Sequence, residues 1–136
     1  MKHLSKVTAL ALLMSLGAGF TAPAVVAKPD YAEIEKRKKA KTQIMGERVG
    51  KKVSQAFELF QAEPQDIPGA LAILNEIKTS DSFDGAMVDY YLAQMNVQID
   101  KPDLAIKHIK KAVDSNALNF KDHAIAMRLL GDLYLN

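Results

Sequence analysis

The chain has 136 residues, 49% of them hydrophobic and 25% charged, a mixture that suits one globular domain and excludes a disordered or collagen-like polymer. There is no Cys, which excludes disulfides, a thiol nucleophile, Cys-ligated zinc or iron–sulfur centres and a lipid-modified N-terminal cysteine. The formal charge is +2, from 18 basic and 16 acidic residues, and Lys2 and Lys6 account for the whole excess.

Those two lysines and His3 precede an apolar stretch over residues 7–20, followed by Thr21-Ala22-Pro23-Ala24-Val25-Val26-Ala27 and the abruptly polar Lys28-Pro29-Asp30. A positive end, a short apolar segment and small residues before a polar break predict a secretory signal peptide over residues 1–27. Cleavage is expected after Ala27, with Ala24 as the alternative. The apolar run of 14 residues falls short of the roughly 20 that a spanning helix needs, so an uncleaved anchor is the weaker reading. No second such run follows. The style of the signal places the mature chain, without an integral membrane span, in the periplasm of a Gram-negative bacterium.

Residues 28–48 read as a basic, partly helical leader. Between positions 28 and 52 nine basic residues face four acidic ones, a balance of +5, and residues 53–136 carry −5. The run Glu35-Lys36-Arg37-Lys38-Lys39-Ala40-Lys41 has the composition of an anion-binding surface. Export argues against nucleic acid as its target. A solvated helical leader is the simpler expectation, and attraction to an acidic protein or to lipid head groups is the other.

Residues 49–136 are helical in pattern, with no period-2 alternation and no Asn-Gly or Asp-Gly hairpin signal. An all-α domain is predicted. Val49, Val53, Ala56, Phe57 and Phe60 form one stripe on a helix that ends before Pro64. A second helix, about 67–78, has Asp66 as N-cap, Pro68 in its first turn and Ala70, Leu71, Ile73, Leu74 and Ile77 on its buried side. A third, about 84–98, buries Met87, Val88, Tyr91, Leu92 and Met95 and gives way at Ile99-Asp100-Lys101. Pro102 starts a fourth, with Leu104, Ala105, Ile106, Ile109, Ala112 and Val113 inward and Lys107, Lys110 and Lys111 outward. A fifth begins near Asn119, with Asp122 completing an imperfect capping box, and continues through Ala124, Met127, Leu130 and Tyr134.

These helices repeat in pairs. Ala70 and Ala105, each near the start of a second helix, are 35 residues apart; Phe57, Leu92 and Leu130, each in the middle of a first helix, are separated by 35 and 38. A helix–turn–helix period near 34 is the tetratricopeptide signature. The chain resembles a tetratricopeptide repeat (TPR) protein: Leu92-Ala93 stands at the family's Leu-Gly pair, Ala105-Ile106 where the second helix packs tightest, Ile109 at the usual aromatic place and Ala112-Val113 at the closing Ala-Leu. Leu130-Gly131-Asp132-Leu133-Tyr134 matches Leu-Gly-x-x-Tyr. The first unit departs from the pattern, with Glu58 at the place of the small residue and Ile77 at that of the later alanine; Asn96 replaces a tyrosine and Ala117 a closing proline. The resemblance implies a helix–turn–helix solenoid of about two and a half repeats, with units at about 51–82, 86–117 and an incomplete 124–136. The last unit has only its first helix, on which Ile125, Leu129, Leu133 and Leu135 leave apolar residues on more than one side. That suits a helix expecting a neighbour in a longer array, with a solvating terminal cap as the alternative; self-association is left open.

More narrowly, Val-x-x-Ala-Phe-Glu-Leu followed by Gly-Ala-Leu-Ala-Ile-Leu, behind an exported leader, is similar to TPR proteins assigned to the TonB system, which drives uptake through outer-membrane receptors. The resemblance implies an adaptor whose groove, lined by the first helix of each unit, holds a protein or peptide. It maps that groove onto Lys52 and Gln55, then Tyr90, Gln94 and Gln98, then Arg128 and Asp132. The alternatives are the helical scaffold of an envelope enzyme such as a peptidoglycan hydrolase, and an outer-membrane assembly factor, against which the missing Cys anchor counts.

Chemistry is sparse otherwise. His108 among lysines and His123 after Asp122 read as surface residues, with no His-x-x-x-His or Glu-x-x-His metal spacing. The glycines form no phosphate loop, and no serine has a base and oxyanion context. Asp81, Asp84 and Asp89 cluster near the start of the third helix, whose dipole accounts for the first two. No catalytic residue, metal or cofactor is expected.

Overall fold

The computed structural model describes residues 30–136; the signal peptide expected at residues 1–27, with its cleavage sites, lies outside them. The described residues form six α-helices and no strand: α1 Tyr31–Lys39, α2 Glu47–Gln61, α3 Ile67–Glu76, α4 Ser82–Gln98, α5 Pro102–Asp114 and α6 Phe120–Leu135. None of them is long and apolar enough to cross a membrane. Residues Ala32–Asn136 make one compact unit, while Tyr31 belongs to the preceding one.

The helix ends follow from local chemistry. In α2 the stripe Val49, Val53 and Ala56 is buried, and the helix stops at Ala62, whose extended backbone suits a chain about to enter Pro64. The Asp66 carboxylate caps α3 by accepting from the Gly69 N–H at 2.8 Å. A Cβ at position 69 would lie 2.2 Å from Asp66 Oδ2, so glycine is what allows that cap to close. Asp81 caps α4 through the Asp84 N–H at 2.9 Å, so the helix begins at Ser82, two residues before the predicted start. Pro102 opens α5, where its missing N–H costs nothing. Asp100 and Asn116 follow α4 and α5 in the left-handed region, at φ 56° and 57°, which Asp and Asn tolerate better than most side chains. The Lys101 N–H then closes back on the Asn96 carbonyl at 2.9 Å.

Packing runs in chain order, most extensively within the pairs α2–α3 and α4–α5, then between α5 and α6 and between α3 and α4. Two apolar clusters result. Val49, Val53, Ala56, Ala70 and Leu74 from α2 and α3 meet Val88, Leu92 and Met95 of α4. Phe83, Ala86, Met87, Tyr90 and Ala93 of α4 meet Ile109 and Ala112 of α5, Leu118 and Ala126. Helix α4 is therefore the shared wall, with eleven of its seventeen residues buried.

The spacing found in the sequence has a spatial counterpart. Ala70 and Ala105, and likewise Leu74 and Ile109, are 35 apart and all are at most 1% exposed. Val88, Leu92 and Met95 turn to the preceding pair, and the residues 38 positions later, Ala126, Leu130 and Leu133, do the same. Glu58, which stands in the sequence at the place of the small residue, does not enter the contact between α2 and α3. Glu58 is exposed, and the small residue buried beside Ala70 is Ala56. The α2–α3 connection has five residues against three between α4 and α5, which moves the close contact two positions back.

The leader is tied down rather than simply solvated. Helix α1 buries no side chain, but the segment after it is held to the repeats. Gln43 donates its N–H to Asn119 Oδ1 at 2.8 Å and accepts from Asn119 Nδ2 at 3.0 Å. Asn119 is thus diverted from the cap expected of it, and α6 has no side-chain cap. Met45 packs against both clusters, and the Gly46 N–H donates to buried Asp84 at 3.0 Å. On α6, Ile125 and Leu135 are 51% and 87% exposed, as anticipated, whereas Leu129 and Leu133 are partly buried against the core.

Candidate functional site

The residues assigned to a groove by sequence separate into those that share a cleft and those that do not. Gln94 and Gln98, one helical turn apart on α4, line a cleft of about 310 Å³ between α2 and α4, together with Phe57, Phe60, Tyr91, Met95 and Val97. Phe57 stands edge-on to Tyr91 with centroids 4.9 Å apart, and to Phe60 at 6.1 Å. Three rings thus give the cleft an apolar floor under an amide rim, the composition of a recognition surface. Lys52 and Gln55 lie on α2 outside the cleft lining, Lys52 partly buried and Gln55 exposed. Arg128 and Asp132 are exposed on α6 and face each other at 3.8 Å, a surface pair that contributes little.

Tyr90 is not a groove anchor. It is 6% exposed and belongs to the cluster with Ile109 and Ala126, whereas Tyr91 forms part of the cleft. One residue is a rotation of about 100° on a helix, so position 90 turns toward α5 and α6 while 91 turns toward α2. Burial first, and the Asp122 charge second, raise both phenols above their ordinary value; both stay neutral. Phe57, Phe60 and Tyr91 were legible only as core residues.

A second arrangement was not anticipated. His108, expected among lysines on a wet face, is only 18% exposed at its side chain, and its Nδ1 lies 2.8 Å from Asp89 Oδ1. Lys111 Nζ lies 3.1 Å from Asp89 Oδ2. Burial alone would raise the Asp89 carboxyl, but the hydrogen bonds and charges of His108 and Lys111 outweigh it and hold the carboxyl below its ordinary 3.8. The ionised Asp89 carboxylate thus accepts from His108 Nδ1 through one oxygen and from Lys111 Nζ through the other. The cluster borders a cavity of about 370 Å³ with Leu74, Ile77, Val88 and Leu92 as apolar wall and Thr79 as a hydroxyl. The Asp89–His108 bond and the Lys111 ion pair join α4 to α5 as a polar clasp. His123 is also drawn inward: its Nδ1 is buried without a partner among the described residues, and burial, then Arg37, lower its pKa. No described group of His, Asp and Glu could hold a metal ion.

No family model, curated protein or solved structure is matched by the chain. The functional reading therefore rests on the clefts themselves.

Removing the clasp is expected to show as stability. Asp89→Ala strips the hydrogen-bond partner from partly buried His108 and should cost about 1–3 kcal/mol, whereas Lys111→Ala removes a largely exposed ammonium and should cost under about 1 kcal/mol. Because the Asp89 carboxyl is lowered on folding, its contribution is complete above the unfolded value and is lost as pH falls through the folded one. Urea titrations at pH 7 and pH 3 should thus show a larger gap between wild type and Asp89→Asn at pH 7; a gap independent of pH would contradict the ionic assignment.

Proposed function

We propose that the protein is an exported, non-enzymatic adaptor of the TPR type, which holds a protein or peptide partner in the periplasm along the face shared by α2 and α4, in association with TonB-dependent uptake. The observation that carries this reading is the cleft of Phe57, Phe60 and Tyr91 beneath Gln94 and Gln98. Rings supply contact area at little entropic cost, and the amides supply hydrogen bonds to an extended backbone. Consecutive helix pairs with equivalent buried positions 35 and 38 residues apart support the repeat reading. Residues 1–27 support export by their composition alone, and the narrower likeness at Val53-Ser54-Gln55-Ala56-Phe57-Glu58-Leu59 and Gly69-Ala70-Leu71-Ala72-Ile73-Leu74 supports the TonB association.

Two results test it. Gln94→Lys with Gln98→Lys changes the rim without touching the two clusters, so it should weaken capture of the partner from envelope extracts at least tenfold. Stability should change by less than about 0.5 kcal/mol for each of these surface substitutions. Unchanged capture, or hydrolysis of peptidoglycan by the purified chain, would overturn the adaptor reading. The chain produced in its own host should begin at Lys28 by intact mass, and retention of Met1 would contradict export by a cleaved signal.

A further inference from the structure

The cleft at the other end of the unit has a different chemistry. It encloses about 390 Å³ between residues 37–43 and the start of α6, and its walls carry Arg37, Lys38, Lys41 and Lys121 against one carboxylate, Asp122. These cations come from three separate stretches of chain: α1, the link after it and the first turn of α6. Three of them belong to the basic run 35–41, and the fold brings Lys121 and the start of α6 against it. The wall is fixed by the reciprocal Gln43–Asn119 bonds and by Gln43 Nε2 donating to the Ala117 carbonyl at 3.2 Å. Lys41 and Lys121 have no ion pair among the described residues. Arg37 and Lys38 pair with Glu33 at 3.5 Å and Glu35 at 3.0 Å; both acids are about half exposed, so exchanging them for a better anion costs little. Lys38 is also held 5.9 Å from the centre of the Phe120 ring. The N–H groups of Phe120, Lys121 and Asp122 donate to no side-chain cap among the described residues, because Asn119 Oδ1 accepts from the Gln43 N–H instead.

We propose that this cleft binds a phosphate group. A tetrahedral dianion offers enough acceptor oxygens for an Arg fork, several ammonium groups and the Thr42 hydroxyl together, which a single carboxylate does not. Its source is either a small phosphate ester in solution or a phospholipid head group. The proposal is independent of the α2–α4 cleft and stands or falls separately from the adaptor reading.

The test titrates the purified full chain with inorganic phosphate, and in parallel with vesicles of phosphatidylglycerol or of phosphatidylcholine. Amide chemical shifts at residues 118–122 and vesicle co-sedimentation are the readouts. Lys41→Glu with Lys121→Glu is compared with Lys51→Glu with Lys107→Glu, an equal charge change elsewhere on the surface; all four lysines are exposed, and circular dichroism checks that each variant folds. Saturable phosphate binding that falls at least tenfold only in the first variant supports a soluble phosphate ligand. Sedimentation with phosphatidylglycerol beyond that with phosphatidylcholine, lost only in the first variant, supports a head group. Absence of both effects, or equal loss in the two variants, overturns the proposal.

Discussion

Tyr90→Ala is expected to lower the free energy of unfolding by about 3–5 kcal/mol, the range for truncating a buried aromatic side chain. Tyr90 sits at 6% exposure between α5 and α6, and its removal leaves a void lined by side chains from three helices that cannot all collapse into it. At about 4–8 °C per kcal/mol for a domain of this size, the melting temperature should fall by roughly 12–40 °C. A ring facing solvent in a groove would instead change stability by about 0.5 kcal/mol or less. Thermal unfolding followed by circular dichroism separates the two, and a drop of only a few degrees would show that position 90 faces outward after all.

The second large effect concerns the pair Leu74→Ala and Ile109→Ala. Leu74 is 1% exposed in the cluster formed by α2, α3 and α4, and Ile109 is 0% exposed in the cluster formed by α4, α5 and α6. Each truncation should cost about 2–5 kcal/mol, part for lost transfer energy and part for the cavity. What distinguishes this fold is how the loss spreads. Val88, Leu92 and Met95 serve one cluster while Ala86, Tyr90 and Ala93 of the same helix serve the other, so neither cluster can open without stripping one face of α4. Both variants should unfold in a single transition, coincident by fluorescence of the tyrosines and by helicity. If Leu74→Ala melted α2 and α3 in an early step and left α5 and α6 protected in hydrogen exchange, α4 would not couple the clusters.

The order of the five helices beyond residue 46 was legible because their punctuation is local. Asp66 and Asp81 cap by reaching three residues along the chain, and Pro102 and Asp100 act on their own backbone. The role of α4 was harder to read. A helix buried on two sides loses the one-sided pattern that periodicity detects, so Tyr91 was read as inward and Tyr90 as a groove residue, whereas Tyr90 is the buried ring and Tyr91 lines the cleft. His108 was misplaced because its partner, Asp89, lies 19 residues away on another helix, while its neighbours Lys107 and Lys110 are exposed. The Gln43–Asn119 clamp spans 76 residues and leaves no local trace. Of the candidate site, the Gln94–Gln98 turn was recognised as surface, but its aromatic floor was read as core, since Phe57 and Phe60 continue the same stripe as Val53 and Ala56.

The central claim is that a partner lies on the face shared by α2 and α4. The most direct measurement places a photo-crosslinking residue at Gln94, Gln98 or Lys107 of the full chain, irradiates cells that express it, and compares the adducts by mass. Lys107 is exposed on α5, outside the cleft. The account predicts one discrete protein adduct at positions 94 and 98 and none at 107. The same adducts at all three positions, or none at 94 and 98, would contradict it.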